Sequence, residues 1–206
     1  MRPGKAAAVA LVLSAVSAGC ESWTGGGFRA DGAEMPRLRQ ALALETGKVV
    51  ADVGAGKGEL TFALAREVGP KGRVFSTDID PERLRGLREA VVAAKLDNVT
   101  VVEGFVSETG LPPDCCDAIV LRRVYHHVTD PSGINASLLR SLRPGGVLAV
   151  IDFPPPFFFG RGSFGVAAKT VIDEVTGGGF ELLRPSDDWP GRGPLGSYCV
   201  VFRKPR

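Results

Sequence analysis

The chain has 206 residues, 44% hydrophobic and 23% charged, with 25 Lys and Arg against 23 Asp and Glu for a formal net charge of +2. That balance excludes a disordered or strongly basic chain and supplies enough apolar material for one sizeable core. Lys and Arg are scattered, with no basic stripe interleaved with aromatics, so no specific nucleic-acid partner is implied.

Arg2 and Lys5 precede a small apolar run from Ala6 to Val16, followed by Ser17-Ala18-Gly19-Cys20. This is the charged, apolar, small-residue order of a secretory signal over residues 1–20. The apolar run falls well short of the roughly 20 residues a spanning helix needs. Val16-Ser17-Ala18 suits an ordinary signal peptidase, whereas Ala18-Gly19-Cys20 resembles the end of a bacterial lipobox, with Ser17 where leucine is usual and Cys20 as the lipidated residue. An exported or membrane-anchored lipoprotein on the periplasmic side follows if the signal is real. If translation starts at Met35, the protein is cytoplasmic. Residues 21–34 contain Gly25-Gly26-Gly27 and read as a flexible linker, so the domain is expected over residues 35–206.

Pro36 to Leu44 carries Leu38, Ala41 and Leu42 at helical spacing, with Gly47 as a stop. Val49 to Val53 is a short β-branched run of the kind buried on both faces, and it runs into Gly54-Ala55-Gly56-Lys57-Gly58. Glu59 to Arg66 then reads as a helix whose N-terminus faces the same space, which suits a ligand-binding turn. The glycine spacing differs from the dinucleotide fingerprint and argues against NAD.

Arg73 to Thr77 is a second strand ending at Asp78, and Asp80-Pro81-Glu82 opens the next helix with an N-cap and a first-position proline. Asn98 to Glu103 and Asp117 to Leu121 are the third and fourth strands, Asp130-Pro131 opens another helix, and Arg143-Pro144-Gly145-Gly146 ends it before a fifth strand, Val147 to Ile151. Strands alternating with helices predict a parallel sheet with ligands at its carboxyl edge. Ser163 to Thr176 reads as a last helix, and Phe180 to Leu183 and Ser197 to Phe202 as two strands joined by a loop, hence antiparallel.

In this order the motifs resemble the class I S-adenosylmethionine-dependent methyltransferases, in the branch with a Tyr-His-His segment after the fourth strand. The pieces are Asp52 to Gly58, the acid Asp78, Asp117 to Leu121 with Val124-Tyr125-His126-His127-Val128, and Leu142 to Gly146. The resemblance implies one Rossmann-like, seven-stranded α/β domain, mostly parallel with an antiparallel terminal strand and helices on both faces. It implies S-adenosylmethionine as cofactor, held by Asp52, Gly54, Ala55, Gly56, Gly58, Asp78, Ile79, Phe105 and Arg122. Asp52 would fix the loop and the amino end, and Asp78 would accept both ribose hydroxyls, a task suited to two carboxylate oxygens. Lys57 is read either as a partner of the methionine carboxylate or as a solvated loop residue.

The family often has aspartate where this chain has Phe105, which either offers apolar surface to adenine, with Ser107 or Glu108 as polar partner, or packs in the core. Arg122 and Arg123 place two cations beside the expected sulfonium. Tyr125, His126 and His127 are the catalytic candidates, either histidine being able to take a proton or simply to brace the loop.

Beyond the fifth strand, Asp152-Phe153-Pro154-Pro155-Pro156-Phe157-Phe158-Phe159-Gly160 is read as the floor of an apolar acceptor pocket, a contact with the bilayer surface, or core packing. No Cys-x-x-Cys or His-Glu-x-x-His is present, so no metal is expected, and the neighbours Cys115 and Cys116 are poorly placed for a mutual disulfide. The expected function is methyl transfer to a small or apolar, lipid-like acceptor. The rival is an exported methyltransferase-like binding module without transfer activity, favoured by Phe105, Arg122 and Arg123. S-adenosylmethionine is made and kept in the cytosol, so the cofactor and the export signal pull apart.

Overall fold

The structure is a computed structural model and describes residues 33–155, 165–190 and 196–206. The proposed signal, with Cys20, and the triple phenylalanine at 157–159 lie outside those residues. Seven strands form one sheet in the order β3-β2-β1-β4-β5-β7-β6. Strands β1 (Val49–Val53), β2 (Arg73–Asp78), β3 (Val99–Glu103), β4 (Cys116–Arg122) and β5 (Leu142–Asp152) are parallel. Strand β7 (Ser197–Arg203) runs antiparallel to both β5 and β6 (Glu181–Trp189). The expected mostly parallel sheet with an antiparallel terminal strand is therefore observed, β7 being the one strand that runs opposite to the other six.

Alternation along the strands explains why both faces are covered. Ala51, Ile119, Leu121, Leu148 and Val150 point to one face, where they pack with Leu138 of helix α4 (Pro131–Ser141) and Val171 and Val175 of α5 (Ala168–Gly177). Val50, Val120, Ala149 and Ile151 point to the other face, against Leu38 of α1 (Glu34–Ala41) and Leu60, Leu64 and Val68 of α2 (Glu59–Val68). Each fully buried aliphatic side chain contributes about 1.5–3 kcal/mol. Helix α3 (Pro81–Ala93) covers β2 and β3 through Leu84, Leu87 and Val91. Its cap is as expected, the Asp80 carboxylate accepting the N–H groups of Glu82 and Arg83 at 2.8 and 3.3 Å.

Several boundaries differ from expectation. Glu34 belongs to α1 and is buried, so the first described helix begins inside the stretch read as linker. Buried partners, which no local pattern reveals, fix that position. Strand β5 begins at Leu142 because Arg143 to Gly146 form a register break opposite β4, between the pairs Cys116–Leu142 and Ala118–Val147. Helix α5 starts at Ala168 because its N-cap Ala167 is extended and the preceding Val166 N–H donates to Phe153 O at 3.0 Å. Strand β6 runs on to Trp189 because β7 pairs with it past two register shifts.

Candidate functional site

The strand order reverses between β1 and β4, and in such sheets the crevice at the carboxyl ends of those two strands is where ligands bind. A cavity of about 210 Å³ opens there, lined by Asp52, Gly54, Lys57, Glu59, Leu60 and Arg122, together with Ala55. The glycine loop forms its wall. Gly54 and Ala55 both donate to Thr77 O at 2.8 Å, and Gly56 donates to Asp78 Oδ2 at 2.9 Å. Gly54, Gly56 and Gly58 have φ of +76°, +56° and +83°, a region that L side chains rarely adopt. They differ in what surrounds them. A Cβ on Gly54 would strike Val124 and one on Gly58 would strike Leu87, whereas a Cβ on Gly56 would meet nothing within 4 Å.

Asp52 ends buried beneath the loop and does not hold it: its carboxylate accepts from Thr61 Oγ1 at 2.7 Å, and Thr61 in turn touches Ser76 at 2.8 Å. Burial pushes the Asp52 carboxyl up to about 6, against the opposing pull of the Thr61 hydroxyl and the Arg122 charge. The loop is fixed instead by Thr77 and Asp78. Asp78 is buried, its Oδ1 also accepting the Asp80 N–H at 3.0 Å.

Beyond Asp78 lie two exposed apolar residues on adjacent strand ends, Ile79 at 60% and Phe105 at 55% exposure. Those values remove the core-packing alternative for Phe105. An open space above Gly56, a buried carboxylate and a pair of exposed apolar side chains suit, in that order, an amino-acid moiety, a ribose and a flat base. The residues present therefore fit S-adenosylmethionine.

Arg122 lies deeper than a surface cation. It is paired with Glu34 at 2.9 Å and faces Glu59 at 3.8 Å, and Trp189 Nε1 donates to the other Glu34 oxygen at 3.3 Å. Arg123 takes φ +60°, its N–H donating to Ile151 O at 2.7 Å, and burial lowers its guanidinium from the ordinary value. Left-handed backbone at a residue other than glycine is a mark of local strain, here at the exit of β4.

The three catalytic candidates part company. Tyr125 is fully buried in the core and Asn135 Nδ2 donates to its hydroxyl at 2.9 Å, a placement at odds with direct contact with an acceptor. His126 is buried at the carboxyl edge, with Nδ1 at 2.9 and 3.1 Å from the two oxygens of Asp152, a residue with no exposure at all. The same carboxylate accepts the His126 and Phe153 N–H groups at 3.1 and 3.0 Å. With Nδ1–H donating to Asp152, the neutral ring presents the lone pair on Nε2. His127 is exposed, its ring tilted against that of His126 with the centroids 4.0 Å apart, and it is lowered from the usual histidine value by partial burial first and by the neighbouring His126 and Arg83 next.

Glu34, Thr61, Asp152 and Trp189 were not singled out from the sequence. Only Asp152, just beyond a predicted strand and on the cofactor side, carried a usable signal.

Residues 44–181 match the family model described as a methyltransferase domain, well over half of the chain. The chain belongs to this methyltransferase domain family. S-adenosylmethionine is the cofactor that goes with it. An arsenite methyltransferase of Halobacterium salinarum is 28% identical over 198 residues, 83% of this chain and 50% of that protein. A ubiquinone/menaquinone biosynthesis C-methyltransferase, UbiE, of Vibrio vulnificus is 35% identical over 113 residues, 54% of this chain and 44% of that one. The methyltransferase chain thus spans about half the length of these curated relatives. Among solved structures, a SAM-dependent methyltransferase from Aquifex aeolicus shares the fold with a TM-score of 0.71 at 23% identity, covering 82% of this chain and 88% of that chain.

Proposed function

We propose that this methyltransferase domain transfers a methyl group from S-adenosylmethionine to a small or apolar acceptor whose nucleophilic atom gives up a proton to His126. The observation that supports it is the His126–Asp152 pair at 2.9 Å, on the same edge of the sheet as the glycine-loop cavity. When bound, the cofactor supplies an electrophilic methyl group. The glycine loop and Asp78 would hold it at one end, and Ile79 and Phe105 would flank its base. Asp152 fixes the imidazole so that Nε2 accepts the proton, and it stabilises the imidazolium that results. Positioning supplies most of the rest, since methyl transfer to a good nucleophile depends chiefly on in-line approach. The relatives named for arsenite and for ubiquinone/menaquinone biosynthesis agree with a small-molecule acceptor.

The test is formation of S-adenosylhomocysteine by the full chain from S-adenosylmethionine, with arsenite and a demethylated quinol as first acceptors. Turnover that falls at least a hundredfold in His126→Gln while S-adenosylhomocysteine affinity holds supports the assignment. Turnover unchanged in that variant overturns it. Binding of the cofactor without turnover of any acceptor favours the binding-module reading.

Export through residues 1–20, with a lipid on Cys20, belongs to the binding-module alternative, because S-adenosylmethionine is kept in the cytosol. The mass of the native N-terminus tests it, a chain beginning at Cys20 with an acyl modification being the expected result and one beginning at Met35 the contrary one.

A further inference from the structure

At the opposite end of β4 from Arg122, about 20 Å away at the rise of a strand, Cys115 and Cys116 bring their sulfurs to 2.9 Å. Cys115 is half-buried and Cys116 fully buried. Arg143 flanks the pair, donating to Asp114 O at 3.3 Å and to Asp117 Oδ1 at 2.8 Å. The Cys116 S–H contact lowers the Cys115 thiol, with Arg143 acting in the same direction, while Cys116 is raised by that same contact and by burial. The more accessible sulfur is thus the one disposed to ionise, and its neighbour holds the proton.

Two adjacent thiols in contact suggest a disulfide, yet the backbone opposes one. Neighbouring Cα atoms across a trans peptide are about 3.8 Å apart, inside the roughly 4.4–6.8 Å that disulfides ordinarily span. A bridge longer by one atom relieves that constraint. The bridging atom must also bond two sulfurs that lie almost in contact, which suits a pyramidal centre and disfavours a linear two-coordinate ion that would spread them. Tetrahedral zinc needs four ligands, and among the described residues no group of three or more His, Cys, Asp or Glu gathers to hold a metal.

We propose that the Cys115–Cys116 pair is a binding site for a trivalent arsenical, held as a dithiolate. The site is separate from the methyl-transfer edge and is independent of the function proposed above. Binding is a condensation without change of oxidation state: an arsenic(III) oxide and two thiols give two As–S bonds and one water. The Cys115 thiolate attacks first, the arsenic-bound oxygen taking up the proton that Cys115 released, and Cys116 then closes the ring, its proton leaving with that hydroxyl as water. A second cavity of about 270 Å³, with Asp117 and Arg143 in its lining, opens at this end of the sheet.

Phenylarsine oxide is the probe, applied to the native full chain carrying Cys20→Ser and Cys199→Ser. Intact mass should show one phenylarsenic group per chain with the loss of two titratable thiols, stable to a monothiol and removed by a dithiol. Cys115→Ser and Cys116→Ser should each abolish the monothiol-stable adduct, with S-adenosylhomocysteine affinity and the melting temperature reporting that each variant is folded. No adduct on the folded background protein, or an adduct that survives monothiol in either single variant, overturns the site. An adduct formed only after denaturation does the same.

Discussion

The carboxylate of Asp78 holds the N–H of Gly56 at 2.9 Å, tying the end of β2 to the middle of the glycine loop. Its other oxygen holds the N–H of Asp80, so one side chain orders both the loop and the entry to α3. Asp78→Ala frees two backbone donors and should cost about 1–3 kcal/mol of stability. S-adenosylhomocysteine affinity should fall at least tenfold, and calorimetric titration beside a denaturant melt separates the two losses.

Gly54→Ala and Gly56→Ala should fail differently. At Gly54 the new methyl strikes Val124 within 2.8 Å, so the fold itself suffers. At Gly56 the methyl enters open space and only the left-handed backbone opposes it, at about 1–2 kcal/mol. Gly56→Ala should therefore leave a folded protein whose cofactor affinity is lost out of proportion to its stability. Equal losses of affinity and stability in both variants would show that the space above Gly56 holds no ligand.

Asp52 carries a stability that depends on pH. Its native value of about 6 lies above the ordinary 3.8, so between the two the folded chain binds more protons than the unfolded one and stability falls as pH rises. The contribution is present in full below about pH 4 and is lost above pH 6, a swing of about 3 kcal/mol. Asp52→Asn should remove it. Urea melts at pH 4 and pH 7.5 should show the variant equal to the parent at the lower pH and more stable at the higher.

Glu34 and Arg122 form an ion pair that is only 4% and 13% exposed. Removing one partner of such a pair costs about 3–5 kcal/mol, because the other charge stays buried. Glu59, 3.8 Å away, offsets part of that, so Glu34→Ala should lower the melting temperature markedly and Glu34→Gln less. A chain that starts at Met35 lacks Glu34 and should show the same deficit, which makes the melting curve a second measure of where the domain begins.

Val49 to Val53 and the three glycines made the first strand and its turn readable, because burial on both faces and positive φ each demand particular residue types. Asp80 and Asp130 marked helix starts for an equally local reason. Glu34 was missed because its partners lie 88 and 155 residues away, at Arg122 and Trp189. Tyr125 was read as chemistry when its ring fills the core, since the residue type does not tell which way a short 3-10 turn faces. The His126–Asp152 pair needed β4 and β5 to be side by side, which strand order decides and motif order does not.

Strand β7 is the last of these seven strands in chain order, yet it lies between β5 and β6. Until residues 197–203 have left the ribosome, β5 offers an unpaired, largely apolar edge and β6 has no neighbour. The sheet cannot zip up in the order of synthesis. Its closing step is the insertion of a final piece between two waiting ones, so chains cut short before Ser197 should expose a sticky strand edge and clump rather than fold to a smaller version of the same domain.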